Sequence, residues 1–215
     1  RRDGTGSVML GEDQAKAALA AKGLTVPLAV TGATPEALAE AAAGLRFPVA
    51  LKGLGSAHKT EAGAVRLDIP AVTALAEAAR AMTGVQGFLA EEMVTGAVAE
   101  LLVGVTRDPT GLMLLTLGAG GVMAELLADT ASVLLPCDAE DVRAALLSLR
   151  IGKVLQGWRG GPAADLEAAI AAVMAVASYA VAEERLLELD VNPLIVTPTR
   201  AVAVDALMRL REDER

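Results

Sequence analysis

Cysteine, histidine and aromatic residues are scarce in this sequence. Its 215 residues include one cysteine, Cys137, one histidine, His58, and only 2% aromatic residues. A single cysteine excludes an internal disulfide and is typical of a reducing compartment, so we expect a cytoplasmic protein. Because no histidine lies near Cys137 in the sequence, we interpret this thiol as structural and not as a nucleophile.

Long hydrophobic runs and excess positive charge are also missing. The longest uncharged helical run, residues 168–182, is shorter than the ~20 apolar residues that a membrane-spanning helix needs. The N-terminus is polar and has no signal-peptide core. A net charge of −8 argues against nucleic acid and anionic membranes as partners. The first residue is arginine and not methionine, which we interpret as the start of a segment of a longer chain.

The order of predicted elements indicates a globular α+β (α/β) protein with two lobes. Thr34 and Pro35 have the residue types of a helix N-cap and first helical position. Strands at residues 87–94, 98–106 and 112–117 predict an antiparallel meander. Further strands are expected at residues 123–128, 132–135, 186–196 and 201–205. We assign residues 1–11 to a linker or arm, 12–91 to an N-terminal lobe and 92–215 to a C-terminal lobe.

A lysine-containing, glycine-rich stretch occupies residues 49–65. Lys52 stands at the end of a predicted apolar strand, and His58 and Lys59 lie in the loop that follows. The ammonium group of lysine suits contacts with phosphate oxygens, and glycines let backbone N–H groups approach an anion closely. The stretch predicts a polyphosphate site, and the alternative is a surface loop with two solvated lysines.

The C-terminal hairpin places two oxygen-bearing side chains opposite each other. Polar and apolar residues alternate along residues 187–192, so the polar ones share one face of a strand. If Val196 pairs with Ala201, then Asn192 lies opposite Asp205, with Cβ atoms about 5 Å apart. An amide oxygen and a carboxylate suit Mg²⁺, which takes few protein ligands and completes its shell with phosphate and water. The alternative is a hydrogen-bonded Asn–Asp pair that faces solvent.

A series of short motifs resembles the ATP-grasp domain of NDP-forming acyl-CoA synthetases, relatives of the succinyl-CoA synthetase β subunit. The resemblance covers about residues 12–210. Its motifs are Leu-Lys at 51–52, Ala-His-Lys-Thr at 57–60, Glu-Glu-Met-Val at 91–94, Glu-Leu-Leu-Val-Gly-Val-Thr-Arg-Asp-Pro at 100–109, Leu-Gly-Ala-Gly-Gly-Val at 117–122 and Leu-Asp-Val-Asn-Pro-Leu at 189–194.

The resemblance implies an ATP-grasp fold, with antiparallel-rich sheets, flanking helices and a nucleotide cleft between two lobes. It implies the nucleotide-handling part of an acid–CoA ligase (ADP-forming), with ATP or ADP and Mg²⁺ bound here. Because no Gly-x-Gly-x-x-Gly unit for CoA follows a strand, CoA chemistry is expected on a partner domain or subunit, within a hetero- or homo-oligomer. ATP and GTP both remain open as the nucleotide.

The same resemblance implies roles for individual residues. In the first half of the chain, Lys52 and Lys59 contact phosphates, His58 relays a phosphoryl group, and the hinge that reads the adenine edge consists of Glu91, Glu92 and Met93. In the second half, Glu100 lies near the ribose or phosphates, and Arg107 lies on the ATP-facing sheet. Glu125 and Asp129, with glycines among residues 118–121, line the deep side of the cleft. Asn192 and Asp205 hold Mg²⁺.

Two other functions remain as alternatives. The same domain occurs fused to protein acetyltransferases, where it serves as a regulatory module. A carboxylate–amine ligase would also use this fold, but it would leave His58 without a role. The sequence departs from the family at Glu91, where glutamine is frequent, and at Ala64, where glycine is frequent.

Overall fold

The computed structural model describes residues 6–55, 64–121 and 129–212. Residues 27–94 form one compact unit, and the described residues before 27 and after 94 form the other. The strands are β1 (Ser7–Met9), β2 (Ala29–Gly32), β3 (Val49–Leu54), β4 (Val65–Ile69), β5 (Gly87–Glu92), β6 (Ala99–Arg107), β7 (Met113–Ala119), β8 (Thr130–Leu135), β9 (Leu186–Val196), β10 (Ala201–Ala203) and β11 (Ala206–Arg211). The helices are α1 (Glu12–Ala20), α2 (Pro35–Ala41), α3 (Val72–Arg80), α4 (Ala139–Ser148), α5 (Ile151–Leu155) and α6 (Leu166–Ala182), with a 3₁₀ turn at Ala42–Gly44.

The smaller unit contains a four-stranded antiparallel sheet with the strand order β2-β5-β3-β4. Its core includes Leu38 of α2, Leu51 of β3 and Leu75 of α3, all without exposed surface. The predicted cap of α2 is confirmed, because the Thr34 side chain accepts a hydrogen bond from the N–H of Ala37. The predicted meander is wrong at its first strand, because β5 pairs with β2 and β3 and not with β6.

The larger unit contains a seven-stranded antiparallel sheet. Its strand order is β1-β11-β9-β6-β7-β8, and β10 also pairs with β9. The predicted arm over residues 1–11 differs from the structure, in which Ser7–Met9 pairs with β11 as an edge strand. Helix α1 belongs to this unit and not to the N-terminal lobe, because Ala15 and Leu19 are buried in its core. The predicted strand at residues 123–128 lies outside the described residues.

Alternating burial gives the large sheet two different faces. Along β6, Ala99, Leu101, Val103 and Val105 are buried in the core, which also receives α4 and α6. The intervening residues of β6 and their cross-strand partners form the opposite face, which we call the polar face. Its residues include Glu100, Gly104, Thr106, Glu188, Asp190 and Asn192. No described helix meets the length and apolarity that crossing a membrane requires.

Candidate functional site

The register on both sides of residues 192 and 205 agrees with the sequence prediction. Val196 pairs with Ala201 in the β9–β10 ladder, as predicted. Further along β9, Val191 pairs with Ala206 of β11 in the same register. Asn192 and Asp205 therefore occupy corresponding positions in the short gap between the two ladders. Their role in binding a metal remains a prediction.

Asn192 joins the polar face to the glycines that follow β7. Its Oδ1 accepts a hydrogen bond from the N–H of Gly121 at 2.8 Å. Gly121 has a φ of 62°, and a Cβ at this position would collide with the carboxylate of Glu100. A Cβ on Gly120 would lie 2.5 Å from the backbone of Leu101. The two glycines thus allow the chain to pass closely over β6, which brings Glu100 and Asn192 into one group.

Asp190 belongs to the same face, although the sequence analysis gave it no role. Burial raises the pKa of the Asp190 carboxyl, and the negative charges of Glu188 and Asp205 raise it further. Gly104 lies directly opposite Asp190 on β6. The alternation of polar residues along β9 was the signal that would have identified Asp190.

The donors of this face fit a hard divalent cation. They include the amide oxygen of Asn192 and the carboxylate of Asp190, and the neighbouring Asp205 adds a further carboxylate. Oxygen ligands are those that Mg²⁺ prefers. Within the described parts of the chain, no three or more His, Cys, Asp or Glu residues are grouped closely enough to hold a metal by themselves. An Mg²⁺ ion here would therefore take much of its coordination from phosphate and water.

Asp129 lies close to the glycine segment. Its side-chain carboxylate accepts a hydrogen bond from the N–H of Ile151 at 3.2 Å, and its backbone carbonyl accepts one from the N–H of Ala119. Asp129 thus lies beside the end of β7, next to the glycine segment.

Arg107 lies on the other side of β6 from Glu100 and contacts backbone carbonyls. Its Nε donates to the carbonyl of Leu186 at 2.8 Å, and its Nη2 donates to that of Glu183 at 3.3 Å. Arg107 pairs with the buried Met113 and so lies on the core side of β6, opposite to Glu100. These contacts hold the chain at the start of β9, and a role for Arg107 in nucleotide binding remains a prediction.

Lys52 and Glu91 form a buried ion pair in the smaller unit. Lys52 Nζ lies 2.8 Å from Glu91 Oε2, and the two side chains are 8% and 2% exposed. Ala50 faces Glu91 across the β3–β5 ladder, and Lys52 shares this face because it follows two residues later. The sequence predicted separate phosphate and hinge roles for the two residues, whereas the structure makes them direct partners.

The other hinge residues contact neighbouring segments of the smaller unit. The Glu92 carboxylate accepts hydrogen bonds from the backbone N–H, Nε and Nη2 of Arg46 at 2.9–3.1 Å. Met93 Sδ accepts from the N–H of Asp68, and the N–H of Met93 donates to the Pro48 carbonyl at 3.4 Å. The proposed adenine contact would therefore come from the backbone and not from the Glu92 side chain. His58, Lys59 and Glu125 lie outside the described residues.

We expect Lys52→Met to lower the free energy of unfolding by about 3–5 kcal/mol, because Glu91 then loses this counter-charge while it remains buried. The double variant Lys52→Met/Glu91→Leu is expected to recover most of that loss, since an apolar pair carries no desolvation cost. Urea unfolding followed by circular dichroism measures both effects.

The matched control is Arg46→Met in the same unit. Arg46 is 86% exposed in its pair with Glu92, and water screens such a pair, so this variant should unfold close to the wild type. If Lys52→Met is as stable as Arg46→Met, the buried pair does not have the energetic importance that its geometry indicates.

Comparison with known proteins finds one matching domain family and several relatives that are named as CoA ligases or CoA synthases. The family described as an ATP-grasp domain matches residues 3–210. A trans-feruloyl-CoA synthase, FCS1, from an unknown prokaryotic organism is 31% identical over 216 residues, which cover 94% of this chain and 30% of that protein. The beta subunit of acetate–CoA ligase (ADP-forming) I from Pyrococcus furiosus is 27% identical over 212 residues, covering 94% of this chain and 91% of that subunit.

Solved structures of one archaeal enzyme share the fold. The dinucleotide-forming acetyl-coenzyme A synthetase 1 of Ca. Korarchaeum cryptofilum, in complex with coenzyme A, Ca-AMPCP and HgCl⁺, matches with a TM-score of 0.88 and 27% identity over 94% of this chain and 93% of that one. Its complex with coenzyme A and Mg-AMPPCP, in which a phosphohistidine segment points towards the nucleotide-binding site, matches with a TM-score of 0.83 and 28% identity over 97% and 95% of the two chains. The present chain spans less than a third of FCS1 but more than nine tenths of the Pyrococcus beta subunit.

Proposed function

The chain belongs to the ATP-grasp domain family, and from this premise we propose that it is the nucleotide-binding part of an ADP-forming acid–CoA ligase. Family membership confirms the resemblance found in the sequence, and the antiparallel sheets with flanking helices confirm the predicted fold class. The observation that carries the proposal is the group of oxygen donors at the polar face, where Asn192 is in register with Asp205 and accepts a hydrogen bond from Gly121.

In the proposed reaction the chain positions a nucleotide and neutralises its phosphates, which is most of what phosphoryl transfer requires of a protein. Lys52 and Lys59 contact phosphate oxygens, and Glu91 orients Lys52. The hinge backbone at residues 91–93 contacts the base, and Glu100 contacts the ribose or phosphates. Glu125 and Asp129 line the nucleotide site. Asn192 and Asp205 hold Mg²⁺, which when bound supplies charge neutralisation to the phosphates.

The proposed enzyme is complete only with a CoA-binding partner. The Pyrococcus relative is named as a beta subunit, and FCS1 is more than three times as long as the present chain. We propose that the acid and CoA react on a further domain or on another subunit of a cytoplasmic assembly. This chain would exchange only a phosphoryl group with that partner.

Mg-ADP is expected to raise the melting temperature of the chain. A ligand that binds only the folded state and is present at about 100 times its dissociation constant adds about 2.7 kcal/mol of stability. For a protein of this size, that addition corresponds to a shift of about 5–10 °C. Differential scanning calorimetry measures it, with Mg²⁺ alone as the control. A melting temperature that Mg-ADP and Mg-ATP both leave unchanged would contradict the proposed function.

A further inference from the structure

Helix α1 contains a buried ion pair that the proposed reaction does not use. Lys16 Nζ lies 2.9 Å from Glu12 Oε1, one helical turn away. The two residues are only 4% and 3% exposed. Removing a charged group from water costs several kcal/mol even when it is paired, and apolar residues of similar size would often be as stable. The fold alone therefore does not explain why α1 carries these charges.

Lys16 also contacts the segment that carries Asp205. Its ammonium donates a hydrogen bond to the carbonyl of Val204 at 3.3 Å, across 188 positions of sequence. Val204 immediately precedes Asp205. Its N–H donates to the carbonyl of Pro193 at 3.2 Å, and Pro193 immediately follows Asn192. The backbone of Val204 is thus held on both sides of its Cα, at the carbonyl oxygen by Lys16 and at the N–H by the residue next to Asn192.

Residues 204 and 205 lie between two strands, so the hydrogen bonds of Val204 help to fix their position. Strand β10 ends at Ala203 and β11 begins at Ala206, so residues 204 and 205 lie in neither ladder. A backbone outside the ladders does not receive its position from regular strand pairing. A charged donor makes a stronger hydrogen bond to a carbonyl than a neutral donor does, and a buried one is screened little by water.

We propose that Lys16, oriented by Glu12, is a positioning residue that holds the Val204 carbonyl and so directs Asp205 towards the divalent cation beside Asn192. This inference rests on the proposed function, because it assumes that Asp205 is a metal ligand. It predicts that α1 affects the metal-dependent part of nucleotide binding and leaves the metal-independent part unchanged.

The test compares the dissociation constant of ADP with saturating Mg²⁺ and with EDTA, by titration calorimetry. The variants are Lys16→Met and the double variant Glu12→Leu/Lys16→Met, which removes both charges and so avoids an uncompensated buried carboxylate. The control is Lys22→Met, because Lys22 follows the same helix but is exposed. Urea unfolding measures the free energy of unfolding of each variant.

The factor by which Mg²⁺ tightens ADP binding should fall about tenfold or more in both variants, the usual effect of removing a group that orients a metal ligand. The affinity in EDTA should not change, and the double variant should unfold close to the wild type. Lys22→Met should match the wild type in every measurement.

Three results would overturn the inference. In the first, Mg²⁺ tightens ADP binding to the double variant as much as to the wild type. In the second, the double variant does not fold. In the third, the variants bind ADP more weakly than the wild type by the same factor with Mg²⁺ and with EDTA. If instead Mg²⁺ has no effect on ADP binding to the wild type, the proposed function itself fails, and this outcome is distinguishable from a failure confined to the variants.

Discussion

The variant His58→Ala is expected to bind Mg-ADP as tightly as the wild type and to carry no phosphoryl group after incubation with γ-labelled ATP. In the proposed relay, a neutral imidazole nitrogen of His58 forms a bond to the γ-phosphorus while the bond to the ADP oxygen breaks. The label then stays on the protein and ADP is released. Alanine has no nucleophile, so labelling should be lost entirely, while the lysines that we propose as phosphate contacts remain.

The composition of the chain allows a histidine-bound label to be assigned to one residue. His58 is the only histidine, so an acid-labile, alkali-stable label on the wild type points to one imidazole. Cys137 is the other soft nucleophile to consider, but burial and the charges of Asp141 and Asp138 raise the pKa of its thiol. Cys137→Ser is therefore the control, and it should be labelled as fully as the wild type.

Two other labelling results would contradict the proposed role of His58. Equal labelling of His58→Ala and the wild type would show that the relay residue is not His58. Mg-ATP binding without any label on the wild type, alone or with its CoA-binding partner, would reject the relay and favour a regulatory module or a carboxylate–amine ligase.

The second large effect is expected at the paired oxygen donors of the polar face. Asp205→Ala should reduce the Mg²⁺-dependent part of ADP affinity by roughly 100-fold or more, because groups that merely orient a ligand already contribute 10- to 100-fold. Asn192→Ala should do the same and should also release the N–H of Gly121. Calorimetric titrations with Mg²⁺ and with EDTA measure the effect.

Two variants on the same strand serve as controls. Glu188→Gln changes a carboxylate of the polar face that already pairs with Arg209 at 3.1 Å, and it should keep the full Mg²⁺ effect. Asn192→Asp keeps an oxygen where Gly121 donates, so it should retain more of the Mg²⁺ effect than Asn192→Ala. Equal weakening of ADP binding with and without the metal would remove Asn192 and Asp205 from the metal site.

Patterns within short stretches of sequence predicted much of the larger unit. The alternation over residues 187–192 identified the polar side of β9, and the loop between β9 and β10 defined a register that the structure confirms. Helix α6 contains the whole uncharged run at residues 168–182 that the sequence indicated as helical. The ordered motifs identified the family before any contact was known, because each motif is a local string of residues.

Local patterns did not predict which elements pair when the possible partners are distant in the sequence. The sequence placed β5 next to β6 because they are neighbours in the chain, but β5 pairs with β2 and β3. Arg107 was placed with the nucleotide residues by its motif, whereas the parity of β6 turns it to the core side. A sequence shows that polar and apolar residues alternate along a strand, but it does not show which other element will pack on each face of that strand.

The amino-acid sequence by itself determined the family, the fold class, most of the strands, and the pairing of β9 with β10, since propensity, periodicity and short-loop register act between near neighbours. Tertiary structure alone decided that Lys52 pairs with Glu91, that the Gly121 backbone binds Asn192, and that Lys16 reaches Val204. These contacts join residues from 39 to 188 positions apart. Their partners are chosen by packing of whole sheets and helices, and by the need of each buried charge for a counter-charge, which no local pattern specifies.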